Sequence, residues 1–507
     1  MSKRLSRRSH FLILAILAQA LVLVTAIRIF ADNFFVFSIL SVAASAAAVF
    51  WILGDSSKPP YKLAWIIPIL LLPVFGGLFY LFFGRVRLGR RFKAGMKRHA
   101  TSASREAGKE DGESESLVPS LPPSAARQAR YLARYAASPP FSGTKATYLP
   151  SGEEALAMML EKLELAERCI FLEFFIIEDG EVWGKVLEIL SRKAALGLDV
   201  RVMYDDFGCL ERLGKDYPAR LEARGIRCAV FNPLKPILAA DMNHRDHRKI
   251  LVIDNSTGFT GGMNLADEYA NLKPRFGHWK DNSLMLEGPA VDALARMFLR
   301  LWNFAKGESA AIPGRCGEAA EFLDEKGIVQ PFEDSPMDDE PVGEQVYLNM
   351  IGLAQEYLFI TTPYLILDNE MTSALCLAAK GGVDLRIITP HIPDKWYVHM
   401  VSRANYRTLL EAGVRIFEYR PGFIHSKTFV ADDAFGVVGT INLDFRSLFL
   451  HFECGVWMYG SGAVAAMKAD FLSTQELCVE MRLRDLEREG KARKALAAAL
   501  RLFSPLM

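Results

Sequence analysis

HRDHRKILVIDNSTGFTGGMN (residues 244–264) and HSKTFVADDAFGVVGTIN (425–442) follow one pattern. In the first, His247, Lys249 and Asp254 form H-x-K-x4-D, and after six further residues come Gly261, Gly262 and Asn264. In the second, His425, Lys427 and Asp432 repeat the motif, and Gly439, Thr440 and Asn442 follow at the same offset. One H-x-K-x4-D would mean little. Two copies, each trailed by G-[GT]-x-N, point to a duplicated unit with pseudo-two-fold symmetry.

The flanking sequence carries the same duplication. CIFLEFFII (169–177) reads as a buried strand, GEVWGKVLEILSRKAALG (180–197) as an amphipathic helix and DVRVMYDD (199–206) as a second strand. YLFITTP (357–363), NEMTSALCLAAKGG (369–382) and DLRIITP (384–390) repeat that order. Strand–helix–strand repeats predict an α/β sandwich with a largely parallel sheet in each half.

The motif suits phosphoryl chemistry. Each His stands before an apolar strand, ILVI or TFV, and residues two apart on a strand share a face, so His and Lys point the same way. A tight turn relieved by Gly returns the Asn to that face. Two copies about a pseudo-dyad then gather two imidazoles, two ammonium groups and two carboxamides, a phosphate site that needs neither metal nor cofactor. Lys249, Asn264, Lys427 and Asn442 are the expected donors to the non-bridging oxygens. A neutral imidazole can attack phosphorus while the other protonates the leaving alkoxide, then serves as base for the incoming alcohol. Exchange of one phosphodiester for another needs no nucleotide, and the chain has no Walker A sequence.

Composition bounds the rest. The 507 residues carry 60 basic and 59 acidic side chains, so no global field marks a nucleic-acid binder. Seven scattered cysteines without a C-x-x-C pair argue against zinc sites and disulfides, and for a catalytic part in the reducing cytoplasm. Apolar residues crowd the first 84 positions in three stretches, roughly 11–30, 34–53 and 63–83, each near the ~20 residues of a membrane span. No small-x-small cleavage site ends the run, so a removed signal peptide is not expected. Basic flanks on both sides (Lys3 to Arg8, then Arg85 to Arg98) should both face the cytoplasm, which leaves open whether two or three stretches cross. The expected organisation is a membrane region 1–99, a flexible linker 100–125 (TSASREAGKEDGESESLVPSLPPSAA begins at 101), a first domain 126–325 and a second 326–507.

The paired motifs resemble the phospholipase D superfamily, and within it the chain resembles bacterial cardiolipin synthases. The likeness extends to KLAWIIPILLLPVFGGLFYLFFG (62–84), YDDFG (204–208), ITTPYLILDNEM (360–371), ITPHIPDKWYVH (388–399), GFIHSKTFVADD (422–433) and HFECGVW (451–457). It implies a multi-pass protein of the cell membrane that condenses two phosphatidylglycerol molecules into cardiolipin and glycerol through a phosphatidyl-histidine. It implies His247 as nucleophile and His425 as acid/base, although the near-symmetric motifs do not themselves order the pair. It also implies that carboxylates some 25–35 residues downstream, Asp281 and Glu453, orient the imidazoles and fix their tautomers.

Several roles stay open in the sequence. Asp254 and Asp432 either act in the chemistry with the His and Lys or anchor a strand end. His391, His399, His451, Glu173, Tyr204, Asp205 and Tyr364 are candidates for the pocket wall, and His244 and His278 for its surroundings. The basic, apolar terminus RKALAAALRLFSPLM (493–507) suits either a lipid interface or a packed helix. A hydrolytic phospholipase D releasing phosphatidic acid would use the same residues with water as acceptor. A nuclease would need a basic groove with stacking aromatics, and a non-catalytic scaffold would have lost motif residues. The sequence leaves a homodimer open.

Overall fold

The computed structural model describes residues 34–55, 58–72, 117–234, 243–314, 324–338, 340–487 and 490–506, with scattered positions over 14–28 and Tyr80. The basic stretch 85–98 and most of the linker lie outside the described residues. Two helices, Phe34–Gly54 and Pro59–Leu71, precede the globular part. The first carries no charge and exposes Phe35, Ile39, Leu40, Phe50 and Trp51. Among the described residues no helix is long and apolar enough to cross a membrane.

The first half supplies β1 (Lys145–Leu149), β2 (Cys169–Phe174), β3 (Asp199–Asp205), β4 (Arg227–Phe231), β5 (Lys249–Ile253), β6 (Thr257–Gly261), β7 (His278–Lys280) and β8 (Ser283–Glu287). Seven of these form a sheet in the order β1-β8-β6-β5-β2-β3-β4. The second half supplies β9 (Ile328–Asp334), β10 (Tyr357–Thr361), β11 (Asp384–Pro390), β12 (Arg415–Tyr419), β13 (Gly422–Ile424), β14 (Thr428–Ala431), β15 (Phe435–Gly439), β16 (Glu453–Tyr459) and β17 (Cys478–Met481). Its sheet runs β17-β12-β11-β10-β14-β15-β16-β9, and the series β8-β6-β5-β2-β3-β4 matches β16-β15-β14-β10-β11-β12.

The largely parallel sheet expected from the strand–helix–strand repeats is corrected here. Within the two large sheets of the described residues only β2, β3 and β4, and likewise β10, β11 and β12, pair in parallel; β7 and β13 form a separate two-stranded parallel pair that joins the halves. The motif strands β5 and β14 run antiparallel to β2 and β10 and turn back at once into β6 and β15. The reversals are tight because Asp254 and Asn255, and equally Asp432 and Asp433, sit in the left-handed region (φ between 52° and 54°), where Asp and Asn are tolerated better than most residues. A short hairpin forces an antiparallel partner.

The strands are apolar because both faces are covered; all six residues of β2 are buried. One buried cluster draws on both sheets (Phe171, Ile250, Phe359, Val430) and on the helices Val291–Lys306 and Ala463–Glu476. Each half has a further cluster on its outer side. Helix Pro123–Tyr135 differs from the expected boundaries. Its Ala125, Ala126, Ala129 and Leu132 are buried with Val346 and Tyr347 of the second half, and the Ala129 carbonyl accepts a hydrogen bond from Gln330 (3.1 Å). Small alanines let the helix approach closely, so 117–125 is packed structure and the following helix belongs with the second half.

Candidate active site

The two motifs meet at the junction of the halves, and each is stitched to the opposite one. The His247 N–H donates to the Phe452 carbonyl (2.9 Å), and the His425 N–H donates to the Lys280 carbonyl (2.7 Å). Phe452 and Lys280 directly precede Glu453 and Asp281. The backbone bonds therefore deliver each carboxylate to the other half's imidazole. Asp281 Oδ2 lies 2.7 Å from His425 Nδ1, and the Glu453 oxygens lie 2.9 and 3.0 Å from His247 Nδ1. Both carboxylates are fully buried. With Nδ1 so held, Nε2 is the nitrogen available to phosphorus or a proton on each ring. The exchange across the pseudo-dyad is not readable from spacing, which suggests only that each carboxylate follows a motif.

The G-[GT]-x-N segment sets the carboxylates. A Cβ on Gly262 would stand 2.0 Å from Asp281 Oδ1, so only glycine leaves that oxygen its place. At the equivalent position Thr440 uses its hydroxyl to donate to Glu453 Oε2. The lysine ammonium groups lie against their own histidines. Lys249 donates to the His247 carbonyl and Lys427 to the His425 carbonyl, with Lys427 Nζ also 2.9 Å from His425 Nδ1.

Burial governs the charges. It pushes His425 down to about 4, with Lys427 adding to the effect against the pull of Asp281. Burial, followed by Lys249 and Lys427, holds His247 well below its ordinary range. Burial likewise lowers Lys249 to about 8 and Lys427 to about 7. For Asp281 burial pushes upward, but His425 and Lys427 outweigh it and its carboxyl stays below the usual range. At neutral pH the site thus holds two neutral imidazoles. An anion placed beside them would raise the proton affinity of either imidazole and of both lysines.

The remaining predicted residues divide. Asp254 and Asp432, left open by the sequence between a chemical and an anchoring role, directly follow β5 and β14. Each lies about 16 Å of extended strand beyond its lysine. Asp254 accepts the N–H groups of Glu167, Arg168 and Cys169 (2.7–2.9 Å), and Asp432 those of Gln355, Glu356 and Tyr357 (2.8–3.0 Å). These bonds fit the strand-end anchor. Asn264 accepts from the Ile176 N–H (3.0 Å) and donates to the Tyr269 hydroxyl (2.9 Å), whereas Asn442 Oδ1 is buried without a hydrogen-bond partner. Glu173 pairs with Arg248 (2.7 Å). Asp205 binds the N–H groups of Phe207, Gly208 and Asp246. Both serve the framework. Tyr364 donates to Asp394, His391 and His399 gather at Glu418, His244 faces the Leu450 carbonyl and His278 faces the Tyr419 hydroxyl.

Of the other histidines, His451 lies beside the site, its ring centroid 5.6 Å from that of His247. Aromatic neighbours that sequence reasoning missed complete the walls: Phe175 at 4.9 Å from the His247 ring, and Trp279 and Tyr269 at 5.5 and 5.6 Å from the His425 ring. Among the described residues, two groups offer three metal-ligand atoms within 4.8 Å of one another: His247 with His451 and Glu453, and Glu344 with Asp368 and Glu370. The first is engaged in the imidazole–carboxylate pair, and the second surrounds the Lys58 ammonium.

Comparison with known proteins agrees with this geometry. Residues 159–302 and 347–474 match the family described as cardiolipin synthase, PLD-like domain, and 43–85 match a phospholipase D-nuclease N-terminal family. An uncharacterised protein of Streptococcus mutans is 42% identical over 88% of this chain and 96% of its own. Cardiolipin synthases of Halalkalibacterium halodurans and a Geobacillus species are 34% and 33% identical, over 89% and 92% of this chain and 90% and 94% of theirs. In fold, the crystal structure of Haemophilus influenzae phosphatidylserine synthase superposes with a TM-score of 0.55 at 15% identity, covering 72% of this chain and 95% of that one. With a duplicated domain, intact paired motifs and full-length relatives of this kind, the chain is a phosphatidyltransferase and belongs to the cardiolipin synthase family.

Proposed function

We propose that the protein joins two phosphatidylglycerol molecules into cardiolipin and releases glycerol, through a phosphatidyl-histidine. The observation that carries this reading is the pair of imidazoles, each held through Nδ1 by a buried carboxylate of the opposite half. One Nε2 attacks phosphorus, forming an N–P bond as the P–O bond to glycerol breaks. The other imidazole gives its proton to the leaving alkoxide, then takes one from the hydroxyl of the second phosphatidylglycerol as that oxygen displaces the histidine. Lys249 and Lys427 neutralise the non-bridging oxygens as charge builds on them. Asn264 and Asn442 would donate amide N–H groups to those oxygens, Asn264 on giving up its bond to the Tyr269 hydroxyl.

We further propose that the chain works at a membrane, with two or three of the apolar stretches near 11–30, 34–53 and 63–83 crossing it and the catalytic part on the cytoplasmic side. Supporting this, helix Phe34–Gly54 exposes more large apolar side chains than water tolerates on a folded surface. The test is purified protein in phosphatidylglycerol vesicles with chelator and no nucleotide, comparing wild type with His247→Ala and His425→Ala. Cardiolipin and glycerol from wild type alone support the reading. Phosphatidic acid as the main product would make the protein a hydrolase.

A further inference from the structure

Two bare aromatic rings border the site. Trp396, at the start of helix Trp396–Glu411, is 62% exposed, and Phe207, in the loop after β3, is 53% exposed. One such ring alone would be ordinary on a folded surface. These two flank the same pair of imidazoles. On the His247 side, a Cβ on Gly208 would stand 2.0 Å from the Phe175 carbonyl oxygen, and the Phe175 ring lies 4.9 Å from that of His247. Phe207 is therefore one residue removed from the wall of the site. On the His425 side, the Lys395 ammonium lies 5.3 Å from the centre of the Tyr364 ring. That ring is 6.5 Å from Phe423, which is 5.9 Å from His425. Lys395 directly precedes Trp396.

Cations lie between the rings. The buried Arg245 guanidinium packs 5.6 Å from the centre of the Phe207 ring. Arg446, in helix Phe445–Phe449, forms no ion pair among the described residues. Burial lowers its proton affinity; Asp444 and Tyr397 oppose that and Arg245 adds to it. Its charge thus acts within reach of Tyr397, beside Trp396, and of Arg245, beside Phe207. Burial, the two motif lysines and His425 hold His247 down, and Lys395 contributes after them.

The apolar start of the chain meets the same face. The Lys58 ammonium, just before helix Pro59–Leu71, lies 5.4 Å from the centre of the Phe449 ring, and Phe449 lies 5.7 Å from Phe445. Phe445 is buried with Val398 and Val401 of the helix that Trp396 begins. Both imidazole side chains are only 9% exposed. A lipid that stays in a bilayer reaches them only where the rim of the site touches that bilayer.

We propose that this rim docks on the bilayer surface itself. The Trp396 and Phe207 rings enter the interfacial layer, where amphipathic rings are at home, and Lys395 and Arg446 meet the phosphates of anionic phospholipid. Phosphatidylglycerol then passes from the membrane into the site without crossing water.

The inference rests on the membrane and phosphatidyl-transfer reading, and the measurements separate their failures. Full-length wild type and Trp396→Phe are reconstituted in phosphatidylglycerol vesicles with ordinary or brominated acyl chains, and the difference in their emission reports Trp396. Bromine quenches an indole only on contact, so most of that difference should vanish in the brominated vesicles. In ordinary vesicles Trp396→Asp with Phe207→Asp should slow cardiolipin formation about tenfold, because each carboxylate resists entry into the interface. On short-chain phosphatidylglycerol dissolved as monomers, the same protein should stay within about twofold of wild type, which a damaged fold would not. Equal difference emission in both vesicles, or equal losses on bilayer and dissolved substrate, overturns the inference. Difference emission that follows protein density and not bromine would put a second copy of the chain on the rim, which overturns it as well. Quenched Trp396 in a wild type that makes no cardiolipin overturns the catalytic reading alone.

Discussion

At the scale of single residues, the site's charge states make its pH dependence calculable in sign. Burial lowers Lys427 to about 7 and Lys249 to about 8, and in the proposed reaction their cations bind the phosphodiester. As pH rises through that window kcat/KM should fall, while protonation of His425, pushed down to about 4, limits it only in acid. A kcat/KM profile still rising at pH 9 would contradict this. Asp254 gives a different expectation, since it caps three N–H groups far from phosphorus. Asp254→Ala should destabilise the fold by about 1–3 kcal/mol in denaturant melts, with activity per folded molecule largely kept. Spacing made His247, Lys249, His425 and Lys427 legible. It left the aspartates open between chemistry and anchoring because a motif letter does not say which end of a strand reaches the pocket.

At the scale of elements, one link between the apolar start and the globular part is an ammonium group. Lys58, at the start of helix Pro59–Leu71, lies 2.8 Å from Glu344 and 3.1 Å from Asp368, both buried. Asp368 in turn caps helix Asn369–Lys380 through the Met371 N–H (2.8 Å). Lys58→Glu would leave two buried acids beside a third. It should cost about 3 kcal/mol and speed amide exchange in the first turn of Asn369–Lys380; unchanged exchange would show that the contact does not hold the helix. No sequence pattern announced this pairing, because it joins residues 286 and 310 positions apart. Helix Val291–Lys306 was equally hidden, its apolar periodicity giving no sign that both sheets would cover it.

At the scale of the whole molecule, the halves share their catalytic pairs. Asp281 acts with His425 and Glu453 with His247, so mutational effects should group by pair and not by half. Adding Asp281→Asn to His425→Ala should cost no further activity. Asp281→Asn with Glu453→Gln should lose about the product of the single losses, measured as kcat on phosphatidylglycerol. Additivity between Asp281→Asn and His425→Ala would deny the coupling. The duplication itself was legible from two motifs. The exchange was not, because it depends on how Lys280 and Phe452 meet the opposing histidines.

That exchange also bears on descent. A polypeptide with only one of these halves would own an imidazole lacking its carboxylate and a carboxylate lacking its imidazole. Two such chains face to face supply both at once. Fusion of their genes would then have altered nothing in the chemistry, while freeing each copy to vary, as the indole at 279 and the imidazole at 451 now do.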